Sequence, residues 1–253
     1  MRHDECKPPR RRSGAFATAL SATLLMSGPA LASPAPAASA AGDMMKRAEA
    51  AEAPLRVALL GTSLTRRGGW DRALEAALSE CLGRPVEALN FAGSGMTSRW
   101  GLTQVAAVRA ARPDVVAVEF SANDASILKG FSIDESAANA RRILEELRPA
   151  GGSGGAEGPA LILMAMNPIH GIRGWIRPWL DHYYDAYAPL AAEVGAAFLD
   201  LRPSWRALGA GGLRRAIPDG AHPRPEVAAS IVAPALARVI AHRKGGSRGG
   251  SSC

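Results

Sequence analysis

Cysteine, aromatic residues and long apolar segments are all scarce in this chain of 253 residues. Only three cysteines are present, so the fold does not depend on a disulfide framework, and a chain of this length buries a sizeable core without crosslinks. The mostly apolar segment at residues 15–26 is too short to span a bilayer as a helix. A single-span membrane protein is therefore not the favoured interpretation.

An excess of charge is also missing from the middle of the chain, although the formal net charge is +7. The first 32 residues carry a net charge of +3, and the segment from Arg243 onward adds three more basic residues. Between them, residues 33–242 contain 22 basic and 21 acidic residues. Binding to nucleic acid needs a concentrated basic surface. We therefore expect no nucleic-acid partner.

The N-terminus has the pattern of a secretory signal peptide over residues 1–32. Basic residues ending at Arg12 precede the apolar segment, and Gly28 and Pro29 precede Ala30-Leu31-Ala32, a small-x-small cleavage site. This pattern predicts a secreted or periplasmic protein with no stable membrane anchor after cleavage. The adjacent arginines leave both Sec and twin-arginine export open.

The rest of the chain divides into a linker, a folded domain and a tail. Residues 33–54 begin with an Ala, Pro, Ser and Gly stretch, which predicts a flexible linker, and residues 244–253 form a Gly/Ser-rich tail that we expect to be disordered. Within 55–243, short apolar strand patterns alternate with helical patterns, which predicts an α/β three-layer sandwich around a five-stranded parallel sheet. The strands are predicted at 56–60, 86–90, 115–120, 161–166 and 197–200, and the longer helices at 70–82, 98–110, 133–147, 180–194 and 225–242.

Polar sequence blocks follow the first three strands and precede the last helix. Ligands of such sheets bind beyond the carboxyl ends of the strands, so these blocks are the candidates for a site. They are Gly61-Thr62-Ser63-Leu64, Asn90-Phe91-Ala92-Gly93-Ser94-Gly95-Met96-Thr97, Ser121-Ala122-Asn123-Asp124 and Asp219-Gly220-Ala221-His222.

The four blocks, in this order, resemble those of the SGNH (GDSL) family of serine esterases and acylhydrolases. Two positions depart from the family pattern, because Thr62 replaces an aspartate and Ser121 replaces a glycine. The resemblance covers about residues 57–241. It implies the flavodoxin-like SGNH hydrolase fold, and a reaction that uses neither a metal nor another cofactor.

The residue chemistry fits ester cleavage, which needs a nucleophile, a base and donors for the carbonyl oxygen. Ser63, at a strand-to-helix turn, is the candidate nucleophile, and His222, with Asp219 three residues before it, is the candidate base. The family resemblance implies that Ser63, Gly95 and Asn123 form the oxyanion hole. Glycine at position 95 removes a side chain that would keep substrate away from the backbone N–H.

Each block has another interpretation when it is taken alone. Ser63 could simply cap a helix, and Asn123 could simply form a turn. A phosphate-binding loop is excluded by spacing, since no Lys-Ser or Lys-Thr follows Gly68. A dinucleotide fingerprint lacks its third glycine, because Ser98 stands there.

Tryptophans near the predicted rim are candidates for substrate binding. Trp175 and Trp179 follow the fourth strand, and Trp100 lies three residues after Thr97. Sugars stack on such rings. With Tyr183, Tyr184 and Tyr187, the aromatic segment leaves two alternatives: a non-catalytic carbohydrate-binding surface, or residues that pack the helix at 180–194.

The sequence therefore predicts a secreted serine ester hydrolase that removes short acyl groups, acetyl among them, from a small-molecule or polysaccharide ester through an acyl-enzyme on Ser63. A polysaccharide O-acetyltransferase with the same triad and a lysophospholipase or thioesterase remain alternatives. For Cys81, late in a predicted helix, a buried and reduced side chain is the favoured interpretation, and a disulfide with Cys253 stays open.

Overall fold

The computed structural model describes residues 53–148 and 158–244. The predicted signal peptide, nearly all of the predicted linker and the tail after Lys244 lie outside the described residues. These three assignments stay predictions.

Five parallel strands form one sheet in the order β2-β1-β3-β4-β5, which confirms the predicted fold class. Central strands such as β3 are fully buried, as expected of parallel strands that are covered on both faces. The strands are β1 (Leu55–Gly61), β2 (Val86–Asn90), β3 (Val115–Glu119), β4 (Ala160–Ala165) and β5 (Ala197–Asp200).

Helices connect the strands, and their lengths range from four to twenty residues. All the strands and longer helices lie within two residues of their predicted bounds, except the helix predicted at 180–194. The helices are α1 (Ser63–Arg66), α2 (Asp71–Leu82), α3 (Ser98–Ala110), α4 (Ser121–Asp124), α5 (Ile133–Leu147), α6 (Gly171–Trp175), α7 (Leu180–Asp185), α8 (Tyr187–Glu193), α9 (Arg202–Arg206), α10 (Gly209–Ala216) and α11 (Pro225–Lys244).

Side chains of each strand alternate between two apolar cores, one on each face of the sheet. In β1, Val57 and Leu59 belong to the core that α2 and α11 cover. Ala58 and Leu60 belong to the core that α3, α5 and α8 cover. The alternation follows from the two-residue period of a strand. The two cores separate the three predicted layers.

One predicted helix is interrupted. The prediction of a continuous helix at 180–194 is wrong, because the structure has α7 and α8 with Ala186 between them. Pro189 has no backbone N–H, and its ring would clash with the carbonyl of Asp185 in an unbroken helix. The apolar residues keep a helical spacing across the break, so only Pro189 indicates where the helix is interrupted.

Cys81 is half-buried and disulfide-bonded. The expectation of a buried, reduced side chain is therefore wrong. The position late in α2 leaves the side chain partly accessible, which allows a crosslink. The other two cysteines of the chain lie outside the described residues.

None of the helices within 53–148 and 158–244 is both long enough and apolar enough to cross a membrane.

Candidate active site

Ser63 lies at the carboxyl edge of the sheet, two residues after the end of the interior strand β1. Thr62 leaves the strand in an extended conformation and caps α1, its Oγ1 accepting a hydrogen bond of 3.2 Å from the N–H of Leu64. Ser63 is the first residue of that helix and its side chain is largely buried. The capping role considered for Ser63 therefore belongs to its neighbour.

A chain of hydrogen bonds runs from Ser63 to Asp219. Ser63 Oγ lies 2.8 Å from His222 Nε2, and His222 Nδ1 lies 2.7 Å from Asp219 Oδ2. Asp219 Oδ1 also accepts from the backbone N–H groups of Ala221 and His222, at 2.9 and 2.7 Å. The structure therefore brings together the three side chains that the sequence singles out as nucleophile, base and orienting carboxylate.

The turn that carries His222 is attached to the segment after β4. The N–H of His170 donates to the carbonyl of Gly220 at 2.8 Å, and the side-chain amide of Asn167 donates to the carbonyl of Ala221 at 3.0 Å. Gly220 has a φ of +83°, and a Cβ there would lie 2.4 Å from the carbonyl oxygen of His170. Only glycine fits this position, on both conformation and space.

The environment of Asp219 favours its ionised form. Partial burial of the carboxyl would by itself raise its pKa, but the hydrogen bonds from the His222 ring and from two backbone N–H groups lower the pKa well below the usual range of aspartate. An ionised Asp219 holds the imidazole with its proton on Nδ1. Nε2 is then left as the acceptor that faces Ser63.

Gly95 and Asn123 line the same pocket as Ser63 and His222, a cavity of about 380 Å³. Gly95 has a φ of +75°, and a Cβ there would meet no atom within 4 Å. The conformation therefore favours glycine at this position, whereas the sequence argument rested on space. Asn123 Nδ2 donates to the carbonyl of Met96 at 2.8 Å, which leaves its second amide hydrogen for a ligand.

Glu119, at the end of β3, is one of the site residues that were not predicted from the sequence. Its Oε1 accepts from the N–H of Thr62 at 2.6 Å, from Thr62 Oγ1 at 2.9 Å and from Thr65 Oγ1 at 2.8 Å. Gly61 makes room for it, since a Cβ at Gly61 would lie 2.4 Å from Glu119 Oε1. Glu119 thus holds the turn that carries Ser63. The available signal was a glutamate inside an otherwise apolar strand.

Burial raises the pKa of Glu119 to about 7, against the hydrogen bonds from Thr62 and Thr65, which lower it. Thr62 is also where the sequence departs from the family block, and its hydroxyl is 2.9 and 3.0 Å from the two carboxylate oxygens of Glu119. A hydroxyl at this position can share hydrogen bonds with Glu119, whereas a second carboxylate would add a like charge.

Asp124, next to Asn123, is fully buried and serves the loop rather than the pocket. It accepts from the N–H of Ser98 at 3.0 Å and from Ser136 Oγ at 2.7 Å. These contacts connect α4 to the beginning of α3 and to α5, so Asp124 keeps Asn123 and the loop of Gly95 together. Burial raises its pKa despite these hydrogen bonds.

The structure separates the three candidate tryptophans. Trp100 packs edge-on against Phe120, with ring centroids 6.4 Å apart, and does not line the pocket around Ser63. Trp175 and Trp179 are 83% and 55% exposed and line an adjoining cavity of about 570 Å³. Ile169 and Arg177 line both cavities. The tyrosines of the same segment are buried and pack the core: Tyr183, Tyr184 and Tyr187.

Within the described residues, no group of three or more His, Cys, Asp or Glu side chains is arranged to hold a metal ion.

A family model described as the GDSL-like Lipase/Acylhydrolase family matches residues 59–229, more than half of the chain. The chain belongs to this family. The protein is accordingly a carboxylic ester hydrolase. The matched residues contain all four blocks that carry the resemblance found in the sequence.

Solved structures show the same fold at low sequence identity. The lipase/acylhydrolase from Enterococcus faecalis is 21% identical with a TM-score of 0.61, over 74% of this chain and 96% of that one. Axe2, an acetylxylan esterase from Geobacillus stearothermophilus, is 20% identical with a TM-score of 0.62, over 75% and 95%. A protein named TesA is 23% identical with a TM-score of 0.54, over 72% and 97%. No curated protein sequence matches the chain.

Proposed function

We propose that this GDSL-like hydrolase is a secreted or periplasmic serine esterase that removes short acyl groups through an acyl-enzyme on Ser63. The observation that carries the proposal is the continuous hydrogen-bond chain from Ser63 Oγ through His222 to Asp219. A serine beside a neutral imidazole that is itself oriented by a carboxylate is the arrangement that activates a hydroxyl as a nucleophile.

In the first half of the reaction, Ser63 Oγ attacks the acyl carbon while His222 Nε2 takes the hydroxyl proton. The carbonyl oxygen gains negative charge and receives hydrogen bonds from the N–H groups of Ser63 and Gly95 and from the amide of Asn123. The tetrahedral intermediate collapses as the C–O bond to the alcohol breaks. His222 returns its proton to the departing alkoxide.

In the second half, a water molecule attacks the acyl-enzyme and gives its proton to His222 Nε2. The second tetrahedral intermediate breaks its bond to Ser63 Oγ, which takes the proton back from His222. The acid is released and the starting enzyme is restored. Asp219 stays ionised throughout and stabilises the imidazolium that forms in each half.

A saccharide ester fits the surface beside this pocket. Trp175 and Trp179 present exposed rings on a cavity that adjoins the catalytic one through Ile169 and Arg177. Flat rings of this kind stack on sugar faces. A protein of the same fold, Axe2, is an acetylxylan esterase, so the fold accommodates a saccharide ester. We therefore propose acetyl or another short acyl group on a saccharide as the substrate.

Exposed aliphatic side chains favour a second candidate, a longer acyl chain as in a lysophospholipase or thioesterase. Leu128 and Ile172 are 74% and 79% exposed, and they directly adjoin Lys129 and Arg173, which line the catalytic pocket. The two loops are joined by a 2.9 Å hydrogen bond from the N–H of Ile127 to the carbonyl of Ile176. An acyl chain could contact Leu128 and Ile172 at the mouth of the pocket.

The nucleophile is tested with Ser63→Ala. We expect the variant to fold and to lose ester cleavage by about four orders of magnitude or more, since the three side chains act as a unit. A fluorophosphonate probe should label Ser63 in the wild type. The control is Ser94→Ala, a serine of the same pocket that pairs with no histidine among the described residues, which should keep the label. Labelling and activity that survive Ser63→Ala would overturn the proposal.

Acyl length is tested with 4-nitrophenyl esters of two to sixteen carbons. We expect kcat/KM to be highest at two to four carbons, and Trp175→Ala to raise KM for an acetylated oligosaccharide without changing the rate on 4-nitrophenyl acetate. A maximum at eight carbons or beyond would replace the first candidate with the second.

A further inference from the structure

The catalytic pocket is strongly basic, although the folded part of the chain is nearly neutral. Four basic side chains line it, and none of the described residues that line it is an aspartate or glutamate. By contrast, residues 33–242 hold 22 basic and 21 acidic residues. The basic lining residues are Arg67, Lys129, Arg173 and Arg177.

These positive charges are poorly compensated by the protein. Arg67 and Lys129 are exposed and form no ion pair with any of the described residues. Arg173 lies 3.6 Å from Asp219 Oδ2, but this oxygen already accepts from the His222 ring at 2.7 Å. The carboxylate that pairs with Arg173 is therefore already occupied, since it also orients the imidazole of His222.

Among the described residues, Arg177 has no carboxylate partner and is held in place by other contacts. Its guanidinium donates to three neutral oxygens: the carbonyl of Ala122 at 2.6 Å, the carbonyl of Arg173 at 3.0 Å and the side-chain oxygen of Asn123 at 3.5 Å. Burial, followed by repulsion from Arg173, lowers its pKa. Arg177 is half-buried and repelled by the positive charge of Arg173. A bound anion next to Arg177 would offset both effects and would stabilise its charge.

We propose that the pocket takes esters whose alcohol or acyl part carries a carboxylate or phosphate group, which Arg67, Lys129, Arg173 and Arg177 bind. This inference rests on the proposed function, because it describes the substrate of Ser63. Guanidinium groups bind both kinds of anion through paired N–H donors, and a cluster of cations at the mouth also attracts an anionic substrate from solution.

A different role for the cations makes a distinct prediction. If they only stabilised the negative charge that develops on the carbonyl oxygen, they would help neutral and anionic esters equally, because that charge forms in both reactions. If they bind a charge already on the substrate, they help the anionic ester selectively. The ratio of the two rates separates these roles.

The test compares esters that differ in charge but not in reacting group. The alcohol-side set is 4-acetoxybenzoate, its neutral methyl ester and 4-acetoxyphenyl phosphate; the acyl-side pair is mono-4-nitrophenyl adipate and its methyl ester. Each kcat/KM is divided by the rate of hydroxide hydrolysis of the same ester.

We expect the wild type to prefer the anionic member of at least one set by about tenfold or more, mainly through KM. The carboxylate and phosphate arms show which anion is preferred.

Variants then assign the preference to the pocket. Arg67→Gln and Lys129→Gln should each reduce the anionic-to-neutral ratio by about fivefold, and the double variant by more, whereas the control Arg66→Gln should leave it unchanged. Arg66 is the exposed neighbour of Arg67 on α1 and does not line the pocket. The wild-type ratio should also fall as the salt concentration rises from about 20 to about 500 mM, because salt screens the attraction between the cations and the anionic ester.

The inference is overturned if neutral esters are cleaved as well as or better than anionic ones in every set, or if Arg66→Gln lowers the ratio as much as Arg67→Gln. Its failure is distinct from that of the proposed function. Ser63→Ala that still cleaves either ester would overturn the proposed function, whereas an inactive Ser63→Ala beside a wild type without charge preference would overturn this inference alone.

Discussion

Glu119 and Asp219 hold the two segments that carry Ser63 and His222, and each carboxylate receives hydrogen bonds from two residues. Asp219 accepts from Ala221 and His222, within three residues along the chain, and its side chain is 41% exposed. Glu119 accepts from Thr62 and Thr65, more than fifty residues earlier, and is only 2% exposed. Each carboxylate therefore accepts hydrogen bonds from two residues, but Asp219 is partly exposed and Glu119 is buried.

The difference in surroundings fits two different roles: Asp219 orients the His222 ring, and Glu119 holds the turn of Ser63. Hydrogen bonds outweigh partial burial at Asp219 and lower its pKa, whereas complete burial outweighs hydrogen bonds at Glu119 and raises its pKa to about 7. An exposed, ionised Asp219 can respond to charge on His222 during the reaction. A buried Glu119 does not touch His222, and its role is to hold the turn of Ser63. We expect the first to act on rate and the second on stability.

The largest expected effect is on the rate at the exposed side. His222→Gln should lower kcat by about four orders of magnitude, and Asp219→Asn by a smaller factor of roughly two to three orders, with folding stability within about 1 kcal/mol of the wild type. Asparagine can keep the oxygen that accepts from the backbone, but its amide cannot accept the Nδ1 proton of His222. The measurements are kcat and the urea midpoint. A loss in Asp219→Asn equal to that in His222→Gln would mean that Asp219 does more than orient.

The buried side should show the reverse pattern. Glu119→Ala removes the acceptor of one buried N–H and two buried hydroxyls and leaves a cavity, so we expect a loss of about 2–5 kcal/mol in the free energy of unfolding. Glu80→Ala, an exposed position on α2, is the control and should stay within about 0.5 kcal/mol. Urea denaturation measures both. A Glu119→Ala variant with wild-type stability but no activity would show that Glu119 acts on rate and not on stability.

The pH dependence of stability should differ in sign between the two carboxylates. The raised pKa of Glu119 means that the folded state holds a proton between about pH 4.5 and 7 that the unfolded state releases, so its contribution to stability falls as pH rises through this window. The wild type should therefore gain up to roughly 3 kcal/mol relative to Glu119→Gln as pH falls from 7 to 4.5. The lowered pKa of Asp219 predicts the opposite: stability relative to Asp219→Asn is lost as pH falls below about 4.

These pH curves come from urea denaturation of the three proteins at half-unit steps. The difference between wild type and variant isolates each carboxylate from the other titrating groups. A flat difference curve for Glu119→Gln between pH 4.5 and 7 would show that this carboxyl titrates in its ordinary range.

The smallest effects concern single hydroxyls around Glu119. Thr65→Val should cost about 1 kcal/mol of stability, because it removes one hydrogen bond at nearly constant volume. Thr62→Val should cost more, since Thr62 also caps α1 through the N–H of Leu64. Thr65→Ser keeps the hydroxyl and is the control. Equal losses in Thr65→Ser and Thr65→Val, measured by urea denaturation, would remove the hydrogen bond as the cause.

The parts of the fold that could be predicted are those with local causes. Short apolar strands alternating with amphipathic helices indicated five parallel strands and three layers, and all five strands lie within one residue of their predicted positions. The break between α7 and α8 was missed because the apolar pattern continues across it. The short helices α1, α4, α6, α9 and α10 were missed because four to eight residues carry too little periodicity to be recognised.

The candidate site divides in the same way. Asp219 and His222 could be paired from the sequence because their spacing of three residues lets one turn connect them, as the structure has it. All three tryptophans were candidates for the rim, but Trp100 packs against Phe120 and does not line the pocket around Ser63. A tryptophan near a loop has several rotamers that the sequence does not distinguish.

By itself, the sequence determined which residues of this hydrolase follow the strands, since periodicity and turn residues act over a few positions and set where each strand ends. Only the tertiary structure decided the distance between Ser63 and His222, which the sequence had paired as nucleophile and base. It also decided that Glu119 is buried beneath the Ser63 turn, and that one pocket is lined by Arg67, Lys129, Arg173 and Arg177. These contacts join residues far apart in the chain. Their distances, burial and charge depend on how the layers pack, which no local pattern encodes.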